Sequence, residues 1–343
     1  MEVGPGCFTA PVQHTSLGRD GPRVSRIGLG LAAVGRPAYL NVGHDADVAG
    51  ATEVDALQGR AHALLDLAVE RGVTYVDAAR SYGRAEEFLA HWLRARELDP
   101  GAVVIGSKWG YRYVGAWRLD ATTHEVKDHS VDALAAQWEE SHRLLGPHLA
   151  LYQVHSATFD TGVLQDRAVL DELARLRAAE GVAIGLSVSG VDQRDLVRAA
   201  MEVSYDGGFL FSTVQATWNP LEPSAEEALA EAHHEGIGVI VKEALANGRL
   251  ADRDPVIRET PFWGIVEDLD ASPDAVALAA ALARPWASVV LSGAATIDQL
   301  TSNLGALELS WGPSWDERLR IPADVLPHSR EQYWKRRSAL AWT

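Results

Sequence analysis

Short apolar segments alternate with helical patterns along almost the whole chain, and this alternation constrains the fold more than any other feature. Near-continuous apolar strands are typical of parallel sheets that are buried on both faces. Eight repeats of strand and helix predict an α/β fold, a (β/α)8 TIM barrel, with a doubly wound sheet as the structural alternative. The predicted strands are 24–29, 73–76, 103–107, 149–154, 182–188, 209–214, 238–241 and 288–291.

The remaining segments complete this organisation. Residues 1–22 predict an N-terminal arm or short hairpin, and residues 35–52 predict a loop insertion. No change of composition marks a second domain, so we expect a single domain over 1–343, with the barrel at 23–310 and a C-terminal extension at 311–343 that contains a helix. The predicted helices are 54–71, 85–97, 131–145, 162–180, 192–202, 224–235, 273–284, 296–307 and 329–340.

Composition narrows the classes of partner. A net charge of -16 and a pI near 5.2 argue against nucleic acid as a partner. No apolar run approaches the roughly 18 residues of a membrane span, and no signal-peptide pattern opens the chain. Cys7 is the one cysteine, which excludes an intrachain disulfide and fits a reducing compartment. We therefore expect a cytoplasmic protein whose anionic ligands are held by local groups.

Polar residues follow most of the predicted strands. In a barrel of this kind the active site lies at the carboxyl ends of the strands. Tyr82 lies in the loop that follows the predicted strand 73–76 and Asp77. Each such residue alone is more often structural, but an acid, a phenol, an amine and an imidazole at one rim predict a catalytic site. The strand-end residues are Asp77, Lys108, His155, Ser187, Gln215 and Lys242.

Three segments carry a resemblance to the aldo-keto reductases. They are VTYVDAARSYGRAEE, VVIGSKWG and LYQVHS, which begin at Val73, Val103 and Leu151. The resemblance covers nearly all of the chain. It implies a (β/α)8 barrel that interconverts carbonyls and alcohols with NAD(P). It also implies a catalytic tetrad, which is Asp77, Tyr82, Lys108 and His155.

The tetrad implied by the resemblance has a physical rationale. Hydride arriving at a carbonyl carbon leaves negative charge on the oxygen, and Tyr82 would donate a proton to it. We expect Lys108 to lower the pKa of this phenol from about 10. Asp77 would hold Lys108, and His155 would donate a hydrogen bond to the carbonyl.

The same resemblance implies contacts with NADP, with NAD as the other possibility. Val188 stands where the family has an asparagine, and Lys242 stands where it has an aromatic residue that stacks on the nicotinamide. Since Ala295 and Gln299 occupy the places expected for a basic residue at the 2′-phosphate, we expect only a modest preference for NADP. The implied cofactor contacts are Gly30, Leu31, Ser187, Gln215, Lys242, Leu245, Asn247, Gly248, Gly293, Ala294, Thr296, Gln299 and Asn303.

Lys242 is followed directly by a residue of opposite charge, Glu243. Because neighbouring residues of a strand point to opposite faces, Lys242 and Glu243 are not expected to pair with each other. This favours a contact between Lys242 and the pyrophosphate of the cofactor. Lys242→Met is then expected to weaken dinucleotide binding and to flatten its salt dependence.

The substrate is expected to be a small aldehyde, ketone or sugar, with no metal at the site. Trp109, Trp117 and Trp218 lie in or near rim loops and are candidates to line an apolar substrate pocket. The alternative to an enzyme is a binding or regulatory module that retains the barrel and the cofactor but has little or no turnover. An intact tetrad favours the enzyme, whereas the departure at Lys242 favours the module.

Overall fold

Eight parallel strands close into a barrel in the computed structural model, which describes residues 11–48, 50–319 and 329–343. Ile27 pairs with Val290, which joins the first barrel strand to the last. This closure confirms the predicted (β/α)8 fold and excludes the doubly wound sheet. The strands in chain order are β1 His14–Ser16, β2 Arg23–Ser25, β3 Ile27–Gly30, β4 Tyr75–Asp77, β5 Val104–Trp109, β6 Tyr111–Tyr113, β7 Glu125–Lys127, β8 Leu149–Ala157, β9 Ala183–Val188, β10 Ser204–Tyr205, β11 Gly208–Phe209, β12 Thr213–Thr217, β13 Gly238–Lys242 and β14 Val289–Ser292.

The barrel strands follow one another as β3, β4, β5, β8, β9, β12, β13 and β14, and helices connect them. Every residue of β5 and of β12 is buried, as expected for strands covered on both faces. The helices are α1 His44–Val48, α2 Val54–Glu70, α3 Ala85–Ala95, α4 Val131–Leu145, α5 Arg167–Glu180, α6 Gln193–Met201, α7 Glu226–His234, α8 Pro261–Leu269, α9 Pro273–Leu282, α10 Ile297–Leu304, α11 Pro313–Leu319 and α12 Arg330–Ser338.

Helix α4 shows how local sequence sets these elements. The hydroxyl of Ser130 accepts a hydrogen bond from the Ala133 amide and caps the first turn. Gly146 ends the helix with a φ of 49°, a conformation that suits a residue without a side chain. Leu134 and Leu145 are buried, so the apolar face of the helix packs on the barrel.

A hairpin of β1 and β2 closes the bottom of the barrel. Leu17 and Val24 pack with Tyr75, Val104 and Val289, which lie at the amino ends of barrel strands. The predicted N-terminal arm is thus a hairpin in its described part, whereas residues 1–10, with Cys7, lie outside the described residues. The carboxyl ends of the strands remain free to build a site.

Three helices and two hairpins were not predicted. They are α1, inside the insertion at 35–52, the hairpin of β6 and β7, the hairpin of β10 and β11, α8, and α11 in the C-terminal extension. The β6–β7 hairpin follows β5 and pairs Tyr111 with Lys127. None of the helices in the described ranges combines the length and apolar character needed to cross a bilayer.

Candidate active site

The predicted tetrad meets at the carboxyl ends of β4, β5 and β8. Lys108 forms a short ion pair with Asp77, and its Nζ donates to the carbonyl oxygen of Ala78 at 3.0 Å. The same Nζ lies 3.1 Å from the hydroxyl oxygen of Tyr82. The side chains of Lys108 and Asp77 are 0% and 3% exposed, so each charge depends on the other for compensation.

His155 lies beside the phenol. Its ring meets that of Tyr82 edge to face at 5.4 Å, and its Nδ1 is 3.4 Å from the hydroxyl of Ser81. Burial, together with the nearby charges of Lys108 and Lys242, lowers the pKa of His155 well below its usual value. The imidazole is therefore neutral near pH 7 and retains one N–H group as a donor.

The pKa of Tyr82 differs from the sequence-based expectation. Burial raises it well above 10, and the carboxylates of Asp77 and Glu125 raise it further. Lys108 does not reverse this shift, because its charge is already compensated by the ion pair with Asp77. Tyr82 is thus a protonated phenol near pH 7, which is the form needed to donate a proton.

Gln215, expected at the nicotinamide, contacts the tetrad instead. Its Nε2 donates to the second carboxylate oxygen of Asp77 at 3.0 Å. Asp77 is therefore held by Lys108 on one oxygen and by Gln215 on the other. This double contact fixes the carboxylate and, through it, the ammonium of Lys108.

The centre opens into a deep cavity at the carboxyl ends of the strands. Most of the residues expected at a cofactor line it, but three do not: Leu31 is buried behind Asp77, Thr296 caps α10, and Ser187 is buried. Ser189, two residues after Ser187, faces the cavity instead. The expected cofactor contacts that line the cavity are Gly30, Gln215, Lys242, Leu245, Asn247, Gly248, Gly293, Ala294, Gln299 and Asn303.

The three tryptophans expected at the substrate are not brought to the cavity. Trp109, the last residue of β5, and Trp218, the residue after β12, are 0% and 2% exposed and belong to the core. Trp117 packs on Phe88, and its Nε1 donates to the Thr52 carbonyl.

Trp342 occupies the cavity wall instead. Its ring lies between the guanidinium of Arg36 at 4.6 Å and the stacked ring of His124 at 4.5 Å. The next residue, Thr343, pairs with the backbone of Tyr39 and fixes the C-terminal segment against the insertion. No local sequence signal distinguishes Trp342 from the other tryptophans.

Lys242, the last residue of β13, also lines the cavity. Its Nζ donates to the hydroxyls of Ser189 at 3.0 Å and Thr217 at 3.2 Å. Contrary to expectation, it also lies 3.8 Å from a carboxylate oxygen of Glu243. The reason is that the strand ends at Lys242, and Glu243 has a φ of 55°, which breaks the strand alternation.

The charges around Lys242 are shared. Burial lowers the pKa of Lys242 to about 8, although Glu243 acts in the opposite direction. Burial acts to raise the pKa of Glu243, but Arg337 and Lys242 bring it down to about 2. Arg337 donates to Glu243 at 2.7 Å, so Lys242 has only a share of this carboxylate.

Known proteins match the chain in sequence and in fold. Residues 27–312 match the model of the Aldo/keto reductase family. The chain belongs to the aldo/keto reductase family. The uncharacterized oxidoreductase YrpG of Bacillus subtilis is 26% identical over 92% of this chain and 96% of its own length. A second uncharacterized oxidoreductase of that organism, YqkF, is 25% identical over 86% of this chain and 91% of its own length.

Among solved structures, the holo form of aldo-keto reductase AKR11C1 from Bacillus halodurans superposes with a TM-score of 0.69 at 19% identity, covering 94% of this chain and 99% of that one. This likeness supports the fold alone. The family match and the two relatives assign this aldo/keto reductase to the oxidoreductases.

In this aldo/keto reductase the insertion at 35–52 crosses the loop after β13. Arg253 forms a two-point ion pair with Asp47 at 2.6 and 2.8 Å and donates to the carbonyl of Val42 at 2.6 Å. The amide of Val42 in turn donates to the carbonyl of Asn247 at 3.1 Å. These bonds fix the insertion over the loop that follows β13.

The histidines near the rim have structural contacts. His124 stacks on Trp342, and the Nε2 of His129 lies 2.9 Å from the carbonyl of His155. Within the described ranges, no group of three or more His, Cys, Asp or Glu side chains is placed to hold a metal ion.

Proposed function

We propose that this aldo/keto reductase reduces small carbonyl compounds with NAD(P)H and that Tyr82 is the proton donor. The observation that carries the proposal is the position of the Tyr82 hydroxyl, 3.1 Å from the Lys108 ammonium and beside His155, at the floor of the cavity. Tyr111 also has an imidazole and an ammonium as neighbours, but these contact its ring, with His155 at 5.1 Å and Lys127 at 5.2 Å, whereas Lys108 reaches the hydroxyl of Tyr82 itself.

The side chains then divide the work of reduction. A bound nicotinamide supplies the hydride to the carbonyl carbon. Tyr82 donates its proton to the carbonyl oxygen, and the neutral His155 positions that oxygen by a hydrogen bond. Lys108, held by Asp77, stabilises the phenolate that remains until water returns a proton to it.

Three features of the cavity fit a dinucleotide. The side-chain oxygen of Asn247 is buried without a hydrogen-bond partner, although the residue lines the cavity. The space in front of Gly293 is open, since an added Cβ would meet no atom within 4 Å. Lys242 supplies positive charge on the same lining. Asn247, Gly293, Ala294 and Lys242 are therefore the residues proposed to hold the cofactor.

The expected preference for NADP over NAD stays modest. Arg253 lines the cavity but is engaged by Asp47, and Arg60, which does not line it, donates to backbone carbonyls, including that of Ala295 at 3.4 Å. A charge-assisted bond contributes about 1.5–3 kcal/mol. Titration of both cofactors by protein fluorescence is expected to give a preference of at most about a hundredfold, and a preference of several thousandfold would contradict the proposal.

The direct test of function is turnover. NADPH or NADH is mixed with a panel of aldehydes, ketones and sugars, and the loss of cofactor absorbance is followed for the wild type and for Tyr82→Phe. Turnover that depends on Tyr82 supports the reductase. Tight cofactor binding without turnover on any carbonyl would favour a regulatory module built on the same barrel.

A further inference from the structure

One wall of the cavity carries positive charge that the reduction described above does not use. Lys127, at the end of β7, lines the cavity, and its Nζ donates to the carbonyl of Ser156 at 2.9 Å. The same ammonium lies 5.2 Å from the centre of the Tyr111 ring. No carboxylate in the described part of the chain forms an ion pair with Lys127, and Asp160, whose charge opposes the effect of burial on the pKa of this ammonium, acts on it from a longer distance.

A chain of hydroxyls extends this wall away from Lys127. The hydroxyl of Ser189 donates to that of Ser156 at 3.2 Å, and Lys242 donates to Ser189 at 3.0 Å. Both serines line the cavity. The wall therefore presents two hydroxyls between two ammonium groups, which is a set of donors suited to an anion.

A backbone irregularity places this wall next to the catalytic imidazole. In a regular strand, His155 and Ser156 would point to opposite faces. Here the pairing of β8 with β9 shifts register between Val154 and Ala157, and Ser156 has a φ of 50°. As a result both His155 and Ser156 line the cavity. The wall formed by Lys127, Ser156, Ser189 and Lys242 therefore lies beside the imidazole of His155.

Lysine usage supports a specific role for these residues. The chain has 31 lysines and arginines together, but its lysines are Lys108, Lys127, Lys242 and Lys335. Three of these four belong to the cavity or to the tetrad. The cavity thus holds compact ammonium groups beside the guanidinium groups of Arg36, Arg253 and Arg337.

We infer that the substrate of this aldo/keto reductase is a carbonyl compound that carries a carboxylate or phosphate group, bound by Lys127 with the hydroxyls of Ser156 and Ser189. This inference rests on the proposed reductase function and names its substrate class. The overall charge of -16 repels anions, so recognition of such a substrate requires a local site of this kind.

The test compares matched carbonyl compounds with and without an anionic group. Succinic semialdehyde is compared with butanal, and glyceraldehyde phosphate with glyceraldehyde, for the wild type, Lys127→Met, Lys127→Arg and the surface control Lys335→Met. We expect wild-type kcat/KM to favour the anionic member by about tenfold to a hundredfold. Lys127→Met should remove this preference through KM and leave the neutral compound unchanged, and Lys127→Arg should restore part of it.

The two pairs of compounds distinguish the two anions. A preference within the first pair alone identifies a carboxylate, and a preference within the second alone identifies a phosphate. Equal loss on anionic and neutral compounds in Lys127→Met, or no wild-type preference in either pair, would overturn the inference without affecting the reductase function.

A binding measurement covers the case in which no carbonyl is turned over. Succinate and inorganic phosphate are titrated into the wild type, Lys127→Met and Lys335→Met by calorimetry. We expect at least one of the two anions to bind the wild type and Lys335→Met, and to bind Lys127→Met about tenfold more weakly or not at all. Equal binding by Lys127→Met, or no binding by the wild type, would overturn the proposed anion site. Absence of turnover alone would contradict the proposed reductase function and leave the anion site standing.

Discussion

Two lysines at strand ends of the same barrel have different surroundings. Lys108 is fully buried and forms its ion pair with Asp77, a residue that no other cation shares in an ion pair among the described residues. Lys242 bonds to two hydroxyls, and Glu243, its carboxylate neighbour, is held more closely by Arg337. The charge of Lys108 is compensated within the protein, whereas that of Lys242 is left partly available. The partner of a lysine, more than its position on a strand, therefore decides whether its charge is available to a ligand.

The largest expected effect concerns the centre around Lys108. Tyr82→Phe removes the proposed proton donor and leaves the ring in place. We expect carbonyl reduction to fall by about two to four orders of magnitude while cofactor affinity persists, because general acid catalysis contributes on this scale. The measurement is kcat/KM alongside a cofactor titration. Tyr205→Phe, which alters a tyrosine bonded to Asp171, is the control and should retain full activity.

The second largest effect concerns the ion pair between Lys108 and Asp77. Lys108→Met leaves Asp77 buried without its ammonium, which is expected to cost about 3–5 kcal/mol of unfolding free energy in addition to activity. Urea unfolding measures this cost. The double variant Asp77→Asn, Lys108→Met should recover part of the stability, because the unpaired charge is gone. Stability equal to that of Lys335→Met, a surface control, would show that the ion pair contributes nothing.

A smaller effect is expected from the partly available charge of Lys242. Its pKa of about 8 means that the ammonium loses its proton as the pH rises through that value. Wild-type affinity for the dinucleotide should therefore weaken above about pH 8, with the midpoint moved upward when the bound phosphates stabilise the charged form. Lys242→Met should bind more weakly, with affinity independent of pH in this range and less dependent on salt.

A second variant sharpens this prediction. Arg337 lowers the pKa of Lys242, so Arg337→Gln should move the midpoint of the wild-type curve to higher pH. Fluorescence titrations at several pH values and two salt concentrations measure both variants. Identical curves for Lys242→Met and the wild type would remove Lys242 from the cofactor site.

The smallest expected effect lies at the aromatic wall. Trp342→Ala removes a ring that faces the cavity between Arg36 and His124. Since aromatic contacts add about 0.5–1.5 kcal/mol, KM for an aromatic aldehyde should rise roughly two- to tenfold while kcat is retained. Trp263→Ala, which alters a tryptophan bonded to Glu267 outside the cavity, is the control. A kcat loss without a change in KM would assign Trp342 to support of the tetrad.

Much of the architecture was predictable because it depends on local patterns. Helix α4 has the predicted bounds, since its cap at Ser130 and its ending at Gly146 are encoded by adjacent residues. The β6–β7 hairpin was missed, because its two strands of three residues are separated by a loop and carry no continuous alternation. The meeting of the tetrad followed from the rule that strand ends converge, whereas no such rule identified Trp342 as the tryptophan at the cavity.

The sequence by itself determined the barrel and the meeting of Asp77, Tyr82, Lys108 and His155, because period, strand length and the residue at each strand end are local properties. The tertiary structure decided which charges are compensated and what lines the cavity. The contact of Trp342 with Arg36, for example, joins residues far apart in the chain. Such contacts, and the pKa values that burial and neighbouring charges set, exist only when distant segments are packed together.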